Sequence, residues 1–133
     1  MKDCIFCKII RGEIPSHKIY EDEHTLTFLD IKPKTKGHMI TIPKKHYETI
    51  YDIPEETLID IIKITKKMSK IVKEKLNADG VNIINSNEKA AQQDINHIHF
   101  HTLPRYKDDK LNIWHKENEE EYNLDKIKKT LIN

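Results

Sequence analysis

The chain has 133 residues, of which 37% are hydrophobic and 34% are charged, and this length and composition are typical of one globular domain with its own core. Lys and Arg (23) nearly balance Asp and Glu (22), and a net charge of +1 gives no electrostatic basis for a nucleic-acid partner. No apolar run approaches the ~20 residues that span a bilayer, and the start of the chain lacks an apolar signal region. We therefore expect no membrane partner and a cytoplasmic location.

The first part of the chain predicts a short helix and then three strands. The helix covers residues 4–11 and ends at Gly12. Strands are predicted at residues 19–21, 26–30 and 38–43, where β-branched and aromatic residues lie between polar turns. The third strand ends at Pro43, because proline cannot donate to a ladder of hydrogen bonds.

One long helix is predicted from Pro54 to Asn77. Proline suits a first helical turn, and two glutamates follow it at the positive end of the helix dipole. An apolar stripe at helical spacing predicts a side that packs against the core. Its members are Leu58, Ile61, Ile62, Thr65, Met68, Val72 and Leu76.

The second part of the chain predicts a strand at 81–85, a polar loop from Ser86 to Asp94, and a last strand that carries three histidines. A short C-terminal helix is predicted around residues 124–131. The fold class is therefore α+β, with a mostly antiparallel five-stranded sheet, one long helix, and short helices at the N- and C-terminal ends.

Residues 96–105 read Asn-His-Ile-His-Phe-His-Thr-Leu-Pro-Arg. Alternation with a period of two predicts a half-buried strand, on which His97, His99 and His101 share one face while Ile98 and Phe100 point at the core. Near neutral pH an imidazole can act as nucleophile, acid, base or metal ligand. Three of them in a row indicate a functional site.

Cys4 and Cys7 form a Cys-x-x-Cys motif. In a cytoplasmic protein such a pair favours metal or redox use over a structural disulfide. The motif alone is compatible with zinc ligation, a thioredoxin-like redox pair or chance. A thioredoxin-like pair needs a strand ahead of it, and only three residues precede Cys4. Two thiolates and two imidazoles would complete a closed tetrahedral zinc site.

Several ordered motifs resemble those of the histidine triad (HIT) superfamily, and most of all its Hint branch of small purine-nucleotide hydrolases. The resemblance covers about residues 4–105, which implies a single HIT domain over residues 1–133 with a C-terminal tail at 106–133. The motifs are His97-x-His99-x-His101 followed by Pro104-Arg105, Cys4-Ile-Phe-Cys7, Gly12-Glu-Ile-Pro15, Phe28-Leu-Asp30-Ile-x-Pro33, and Gly37-His38…Ile42-Pro43-Lys-Lys-His46.

The resemblance implies an enzyme that cleaves purine nucleoside 5′-monophosphate derivatives, namely phosphoramidates and, as a further class, dinucleoside polyphosphates. The catalytic residues would be His99, His101 and His38. His99 would be the nucleophile and form a nucleotidyl-histidine intermediate, while His101 and His38 lie near the phosphate. A neutral imidazole attacks without first losing a proton, and its phosphoramidate product is labile to water. No cofactor is required for this chemistry.

The resemblance also implies a nucleotide-binding set. Asp30 corresponds to a carboxylate that holds the ribose hydroxyls, and Phe28 and Ile31 correspond to residues that line the base pocket. Ser86 and Gln93, together with His99 and His101, complete the set, with Gln93 expected near the phosphates.

The loop before the histidines departs from the family pattern. Two glycines that many Hint relatives carry are absent here, which changes the conformations open to the backbone. Asp94 replaces a serine that donates toward the phosphate or the leaving group. An ionised carboxylate repels phosphate and cannot donate, so the activity level and the leaving-group preference depart from the family's.

The resemblance further implies a structural zinc ion on Cys4, Cys7, His46 and His97, and a homodimer that pairs the long helix and one sheet edge. Two other functions stay open on the sequence. One is a nucleotide-binding regulatory protein with little turnover, and the other is a zinc storage or structural module.

Overall fold

Five strands form one antiparallel sheet in the computed structural model, which describes residues 3–114 and 118–133. The strand order in the sheet is β1-β2-β3-β5-β4, and every neighbouring pair is antiparallel. This arrangement confirms the predicted α+β class. The strands are β1 (Lys18–Glu21), β2 (Thr25–Leu29), β3 (Met39–Pro43), β4 (Gly80–Ile84) and β5 (Phe100–Arg105).

Three α-helices accompany the sheet: α1 (Ile5–Ile10), α2 (Glu55–Leu76) and α3 (Leu124–Ile132). The helix α2 begins after Pro54 and ends at Asn77, whose backbone is left-handed with φ of 55°. Its predicted stripe faces the sheet at four buried residues, Ile61, Thr65, Met68 and Val72. Ile62, also predicted in the stripe, is 46% exposed.

The sheet is covered on both faces, which is why every residue of β3 is buried. On one face Met39 packs with Met68 and Val72 of α2. On the other face Phe6 and Ile9 of α1 pack against apolar side chains of β2 and β3. Burial of a large apolar side chain contributes about 1.5–3 kcal/mol, so the short helix α1 is held by its packing rather than by its length.

The predicted histidine strand begins three residues later than expected. β5 starts at Phe100, because the Ile98 N–H donates to the Tyr47 carbonyl at 2.7 Å instead of to a neighbouring strand. The predicted side-chain directions of Ile98 and Phe100 are nevertheless right, since both are buried in one cluster with Ile53 and Ile61. The segment before β5 bends at residues 95–97 and is not paired with the sheet.

The C-terminal helix α3 forms where the sequence predicts it, but none of its residues is buried. A 3₁₀ turn at Lys89–Ala91 lies in the predicted polar loop. Of the helices in the described ranges, none has the length and apolar character that a membrane crossing requires.

Candidate functional site

Three hydrogen bonds hold the segment from His97 to His99 against the end of the sheet. His97 Nε2 lies 2.8 Å from the Pro43 carbonyl oxygen, and Asn85 Nδ2 donates to the His99 carbonyl at 3.0 Å. The bond from Ile98 to Tyr47 is the third. The bonds to the Ile98 N–H and the His99 carbonyl satisfy backbone groups that a strand would pair in its ladder, and the bond from His97 Nε2 fixes that ring directly.

The tautomer of His99 follows from its partner. Its Nδ1 lies 2.8 Å from the His97 carbonyl oxygen, which can only accept, so Nδ1 carries the proton and donates. The lone pair is then on Nε2. The ring is 3% exposed, and Phe6 packs edge-on against it with the ring centroids 5.1 Å apart. The result is a buried imidazole with a fixed orientation, whose Nε2 carries the lone pair in the neutral form.

A second chain of bonds fixes His38 and His101. The Lys34 N–H donates to His38 Nδ1 at 3.1 Å, so a neutral His38 carries its proton on Nε2. That atom lies 2.8 Å from His101 Nδ1 and donates to it, which leaves the proton of His101 on Nε2. The ring centroids of His101 and His99 lie 5.0 Å apart, so the ring that carries this N–H packs directly against His99.

Both histidines of this chain are neutral at pH 7. Burial lowers the pKa of His101 to about 4, and the neighbouring His99 and His38 lower it further as like charges, while Asp30 and Asp94 oppose the shift. Burial also lowers the pKa of His38, against the opposing effect of Asp30. An anion bound between the rings would act in the opposite direction, because a nearby negative charge favours the protonated form.

A cavity of about 180 Å³ opens next to His99 and His101. Its walls are mostly apolar and come from α1, from the segment after it and from β2. Phe28 is 4% exposed and Ile31 is 79% exposed, so the first forms the floor of the cavity and the second its outer rim. The residues of the predicted binding set that line it are Phe28, Asp30, Ile31, His99 and His101.

Asp30 is the acidic group of this cavity. Its Oδ1 accepts from the Lys32 N–H at 2.8 Å, and its Oδ2 lies 3.6 Å from His38 Nε2. The side chain is 19% exposed, so the carboxylate is held by Lys32 and His38 and still reaches the cavity. The structure therefore brings Asp30 to the same cavity as the histidines.

Ser86 and Gln93 are not among the residues that line the cavity. Gln93 is buried, and its amide is used inside the loop: Oε1 accepts from the Glu88 N–H at 2.7 Å, while Nε2 donates to the carbonyls of Glu48 and Ile95 at 2.7 and 3.0 Å. In this arrangement no amide proton is left to reach a phosphate. Gln93 instead fixes the conformation of the loop that lacks the family's glycines.

Two residues of the site have no signal in the histidine pattern. Asn85 supports the His99 backbone, and Phe6 packs on the rings of both His97 and His99. Asn85 is the last residue of the strand predicted at 81–85 and directly follows β4 in the structure. A polar residue at the end of a strand indicates only that a turn begins. Phe6 belongs to a six-residue helix whose partner surface cannot be inferred from the helix alone.

A second cluster brings together Cys4, Cys7, His46 and His97, whose four donor atoms all lie within 4.8 Å of one another. The sulfur–nitrogen distances are 3.4 Å for Cys4–His97, 3.4 Å for Cys7–His46 and 3.6 Å for Cys7–His97. The two Nδ1 atoms are 3.2 Å apart. With bonds of 2.3 Å to sulfur and 2.0–2.1 Å to nitrogen, a tetrahedral zinc site requires about 3.5 Å and about 3.3 Å for these edges. The donor set therefore fits a zinc ion.

The protonation states of the cluster are compatible with a metal. His97 donates from Nε2 to Pro43, so its lone pair on Nδ1 faces the cysteines. Burial is the main cause that lowers the pKa of His97 to about 4 and raises the pKa of the Cys7 thiol to about 11. A bound cation would reverse the effect on the thiol, because metal ligation deprotonates it.

Asp30, His38 and His101 also have donor atoms within 4.8 Å of one another, but they are arranged as a hydrogen-bond chain. His38 Nε2 carries a proton, since its Nδ1 is occupied by the Lys34 N–H. A metal on Nε2 would have to displace that proton and break the backbone bond. The donor set of this group therefore fits a metal less well than the cysteine cluster does.

The fold and the histidine cluster together define a protein of the histidine triad class. A HIT family protein of Bacillus subtilis superposes with a TM-score of 0.88 at 38% identity, over 97% of this chain and 94% of that one. A zinc-bound histidine triad family protein of Mycobacterium smegmatis gives 0.81 at 40% identity, over 88% and 85%.

The sequence comparisons agree. The family model described as the HIT domain matches residues 11–108, and the chain belongs to the HIT family, in its Hint-like branch. An uncharacterized HIT-like protein of Methanocaldococcus jannaschii is 54% identical over 106 residues, 80% of this chain and 81% of that protein. The adenosine 5′-monophosphoramidase of Saccharomyces cerevisiae is 39% identical over 132 residues, 97% of this chain and 80% of the yeast protein.

Proposed function

We propose that the protein is a nucleotide hydrolase that cleaves the P–N bond of purine nucleoside 5′-phosphoramidates through a nucleotidyl intermediate on His99. One observation carries the proposal: His99 Nδ1 is bound by the His97 carbonyl, so the free Nε2 lies beside a cavity that Asp30 and His101 also line. The name of the yeast relative, an adenosine 5′-monophosphoramidase, supports the same substrate class.

The nucleoside would enter the 180 Å³ cavity. An apolar floor at Phe28 and an outer rim at Ile31 suit a flat purine base, since stacking and burial need no base-specific hydrogen bond. Asp30 would accept from the ribose hydroxyls with the oxygen lone pairs that Lys32 does not use. The phosphorus would then lie near His99 and His101, which line the same cavity.

The first step forms a bond between His99 Nε2 and phosphorus while the P–N bond breaks. The electron pair of that bond goes to nitrogen, which takes up a proton and leaves as the neutral amine. His99 keeps its Nδ1 proton on the His97 carbonyl and carries the positive charge of the nucleotidyl intermediate. The fixed ring needs no proton removal before attack, which is the advantage of imidazole over a hydroxyl nucleophile.

The proton for the leaving nitrogen would come from the His38–His101 pair. A bound phosphate anion opposes the effect of burial on these rings, so the pair gains one proton when substrate binds. After the amine leaves, water attacks phosphorus, the P–Nε2 bond breaks with its electrons returning to His99, and the proton of the water goes to the pair. Acid and base are then the same pair in the two halves of the reaction.

The test is turnover of a fluorogenic adenosine phosphoramidate. His99→Ala should lower kcat by about 10³-fold or more, because the covalent route disappears. Nucleotide binding should survive, since the cavity keeps its other walls. Mass spectrometry of the quenched wild-type reaction should find the nucleotidyl group on His99.

A nucleotide-binding regulator with little turnover is the second candidate, and the Asp94 carboxylate 3.5 Å from His99 Nε2 favours it. That function predicts nucleotide binding by wild-type protein without release of amine. Wild-type rates equal to those of His99→Ala, with binding intact, would replace the first candidate by the second.

We further propose that Cys4, Cys7, His46 and His97 hold a structural zinc ion. The fit of the donor distances and a zinc-bound relative support it. Four protein ligands leave no position for substrate or water, so the ion would join α1 to the segment before β5, and the phosphoryl chemistry would need no metal.

A further inference from the structure

We propose that Asp94 determines leaving-group specificity, so that the site selects cationic amines and disfavours anionic leaving groups. The inference rests on the proposed function, because it assumes that His99 attacks phosphorus. It narrows the substrate class to phosphoramidates of amines that carry a positively charged group away from the leaving nitrogen, and it sets dinucleoside polyphosphates aside as poor substrates.

The first observation is the position of the carboxylate at the reactive atom. Asp94 Oδ1 lies 3.5 Å from His99 Nε2, with side-chain exposures of 77% for Asp94 and 3% for His99. In the described part of the chain, Nε2 makes no hydrogen bond. A buried nitrogen without a partner is thus aimed at a solvent-facing carboxylate. Any phosphorus that Nε2 attacks comes close to that negative charge, and so does the group attached to the phosphorus.

The second observation is that Asp94 is the shared wall of two cavities. On one side it lines the apolar cavity with Phe28 and His99. On the other side it lines a second cavity of about 380 Å³, together with Asp3 and Glu48. Three acidic residues line this second cavity beside Cys4 and His46 of the cysteine cluster, and within residues 3–114 and 118–133 no lysine or arginine lines it.

The two cavities give the substrate a direction. A nucleoside in the apolar cavity puts its phosphorus near the Asp94 wall, and the group that leaves then extends toward the acidic cavity. A phosphate leaving group would meet repulsion there. A leaving amine departs neutral and meets no such repulsion, and an ammonium group further along the amine would be attracted by the same carboxylates.

Asp94 acts through its field alone. It forms no bond to substrate atoms and transfers no proton, so the steps proposed for His99 and the His38–His101 pair are unchanged. For unit charges about 6 Å apart at a partly solvated site, the interaction changes a rate constant by roughly 3- to 10-fold. The charge of Asp94 attracts a cationic leaving group and repels an anionic one. We therefore expect the ratio of kcat/KM for the two substrates to change by about tenfold or more when that charge is removed.

The experiment compares kcat/KM for three adenosine 5′-phosphoramidates of equal chain length. They are made from 1,4-diaminobutane, n-pentylamine and 5-aminopentanoate, so that the far end is cationic, neutral or anionic. Wild type should prefer them in that order. Asp94→Asn should reduce the cation-to-anion ratio of kcat/KM by about tenfold, and any effect of the variant that is common to all three substrates cancels in that ratio. Raising NaCl from 50 to 500 mM should lower the wild-type ratio, because salt screens exposed charges.

Asp108→Asn is the matched control, because it removes the same charge from an exposed residue that lines neither cavity. It should leave the ratio unchanged, and thermal melts should show that both variants fold. A cation-to-anion ratio that Asp94→Asn does not alter, or a wild-type preference for the anionic substrate, would overturn the role of Asp94. Failure of wild type to cleave any of the three overturns the proposed function itself, which separates the two results.

Discussion

At the scale of single residues, the site depends on backbone partners more than on neighbouring side chains. The carbonyl of His97 and the N–H of Lys34 each occupy one nitrogen of a histidine ring. Because each partner can only accept or only donate, the position of every proton in the row follows from it. The sequence supplies the histidines, but the roles that we propose for them, nucleophile and proton donor, depend on the ring nitrogens that these main-chain groups occupy.

His101 gives a prediction about pH and stability. Its pKa is about 4 in the folded protein against an ordinary value near 6.5, so between these values the unfolded chain binds more protons. The free energy of unfolding should therefore fall as the pH decreases from 6.5 to 4. His101→Gln should remove part of this pH-dependent decrease in the free energy of unfolding, on the order of 2 kcal/mol. The value is discounted for solvent screening, because the ring is only partly buried.

The measurement is urea unfolding of wild type and His101→Gln at several pH values from 7.5 to 4. Asp30 and Asp94 face this position in both proteins, while the His38–His101 hydrogen bond is present only in wild type, so the difference in pH slope reports the two coupled histidines together. Equal pH slopes for the two proteins would show that His101 is not held neutral by the fold.

At the scale of elements, the short helix α1 connects the two clusters. Cys4 caps its first turn by accepting from the Cys7 N–H, and Phe6 projects between them onto the histidines. A six-residue helix is not stable alone. Its position therefore depends on apolar packing and on the contacts of the cysteine pair at its start with His46 and His97.

Replacing both cysteines tests the structural role of zinc. Cys4→Ser combined with Cys7→Ser should abolish bound zinc and lower the Tm by roughly 6 °C or more, which corresponds to about 2 kcal/mol for a chain of this size. Turnover below the new Tm should be largely kept, and EDTA should have little immediate effect on the wild-type rate.

His17→Gln, a change at an exposed histidine outside the cluster, is the control and should keep zinc and Tm. The measurements are elemental analysis, thermal melts and the phosphoramidate assay. Activity that follows zinc occupancy in direct proportion would instead make the metal catalytic and His97 a catalytic ligand.

At the scale of the whole molecule, much of the fold follows from the sequence, because periodicity and proline positions carry it. The predicted long helix at 54–77 corresponds to Glu55–Leu76, and the strand at 38–43 corresponds to Met39–Pro43. The start of β5 could not be predicted. Apolar and polar side chains alternate in the same way in a paired strand and in a segment that is held outside the sheet by other hydrogen bonds. The loop carbonyl that accepts from the Ile98 N–H, and the backbone groups that bind the Gln93 amide, are set by contacts between residues distant in sequence.

We expect a homodimer, as the family resemblance implies. The edge strand β4 leaves Ile83 52% exposed, and Ile59 and Ile62 of α2 are 51% and 46% exposed. Sedimentation equilibrium at micromolar concentration should give twice the mass of the 15.8 kDa chain. Ile83→Asp should weaken the association, whereas Ile19→Asp on the opposite edge strand, at a residue 42% exposed, should not. A monomeric wild type would contradict the prediction.

The contact between Cys7 and His97 joins residues 90 positions apart in the chain, and this has a consequence for the order of folding. Closing so large a loop costs entropy that local hairpins do not incur, so β2 and β3 should pair first and α1 should dock last. During synthesis the contact between Cys7 and His97 cannot form until residue 97 has emerged. Pulse-labelled hydrogen exchange during refolding should protect the amides of β3 before those of α1. Simultaneous protection would mean that the site assembles together with the sheet rather than after it.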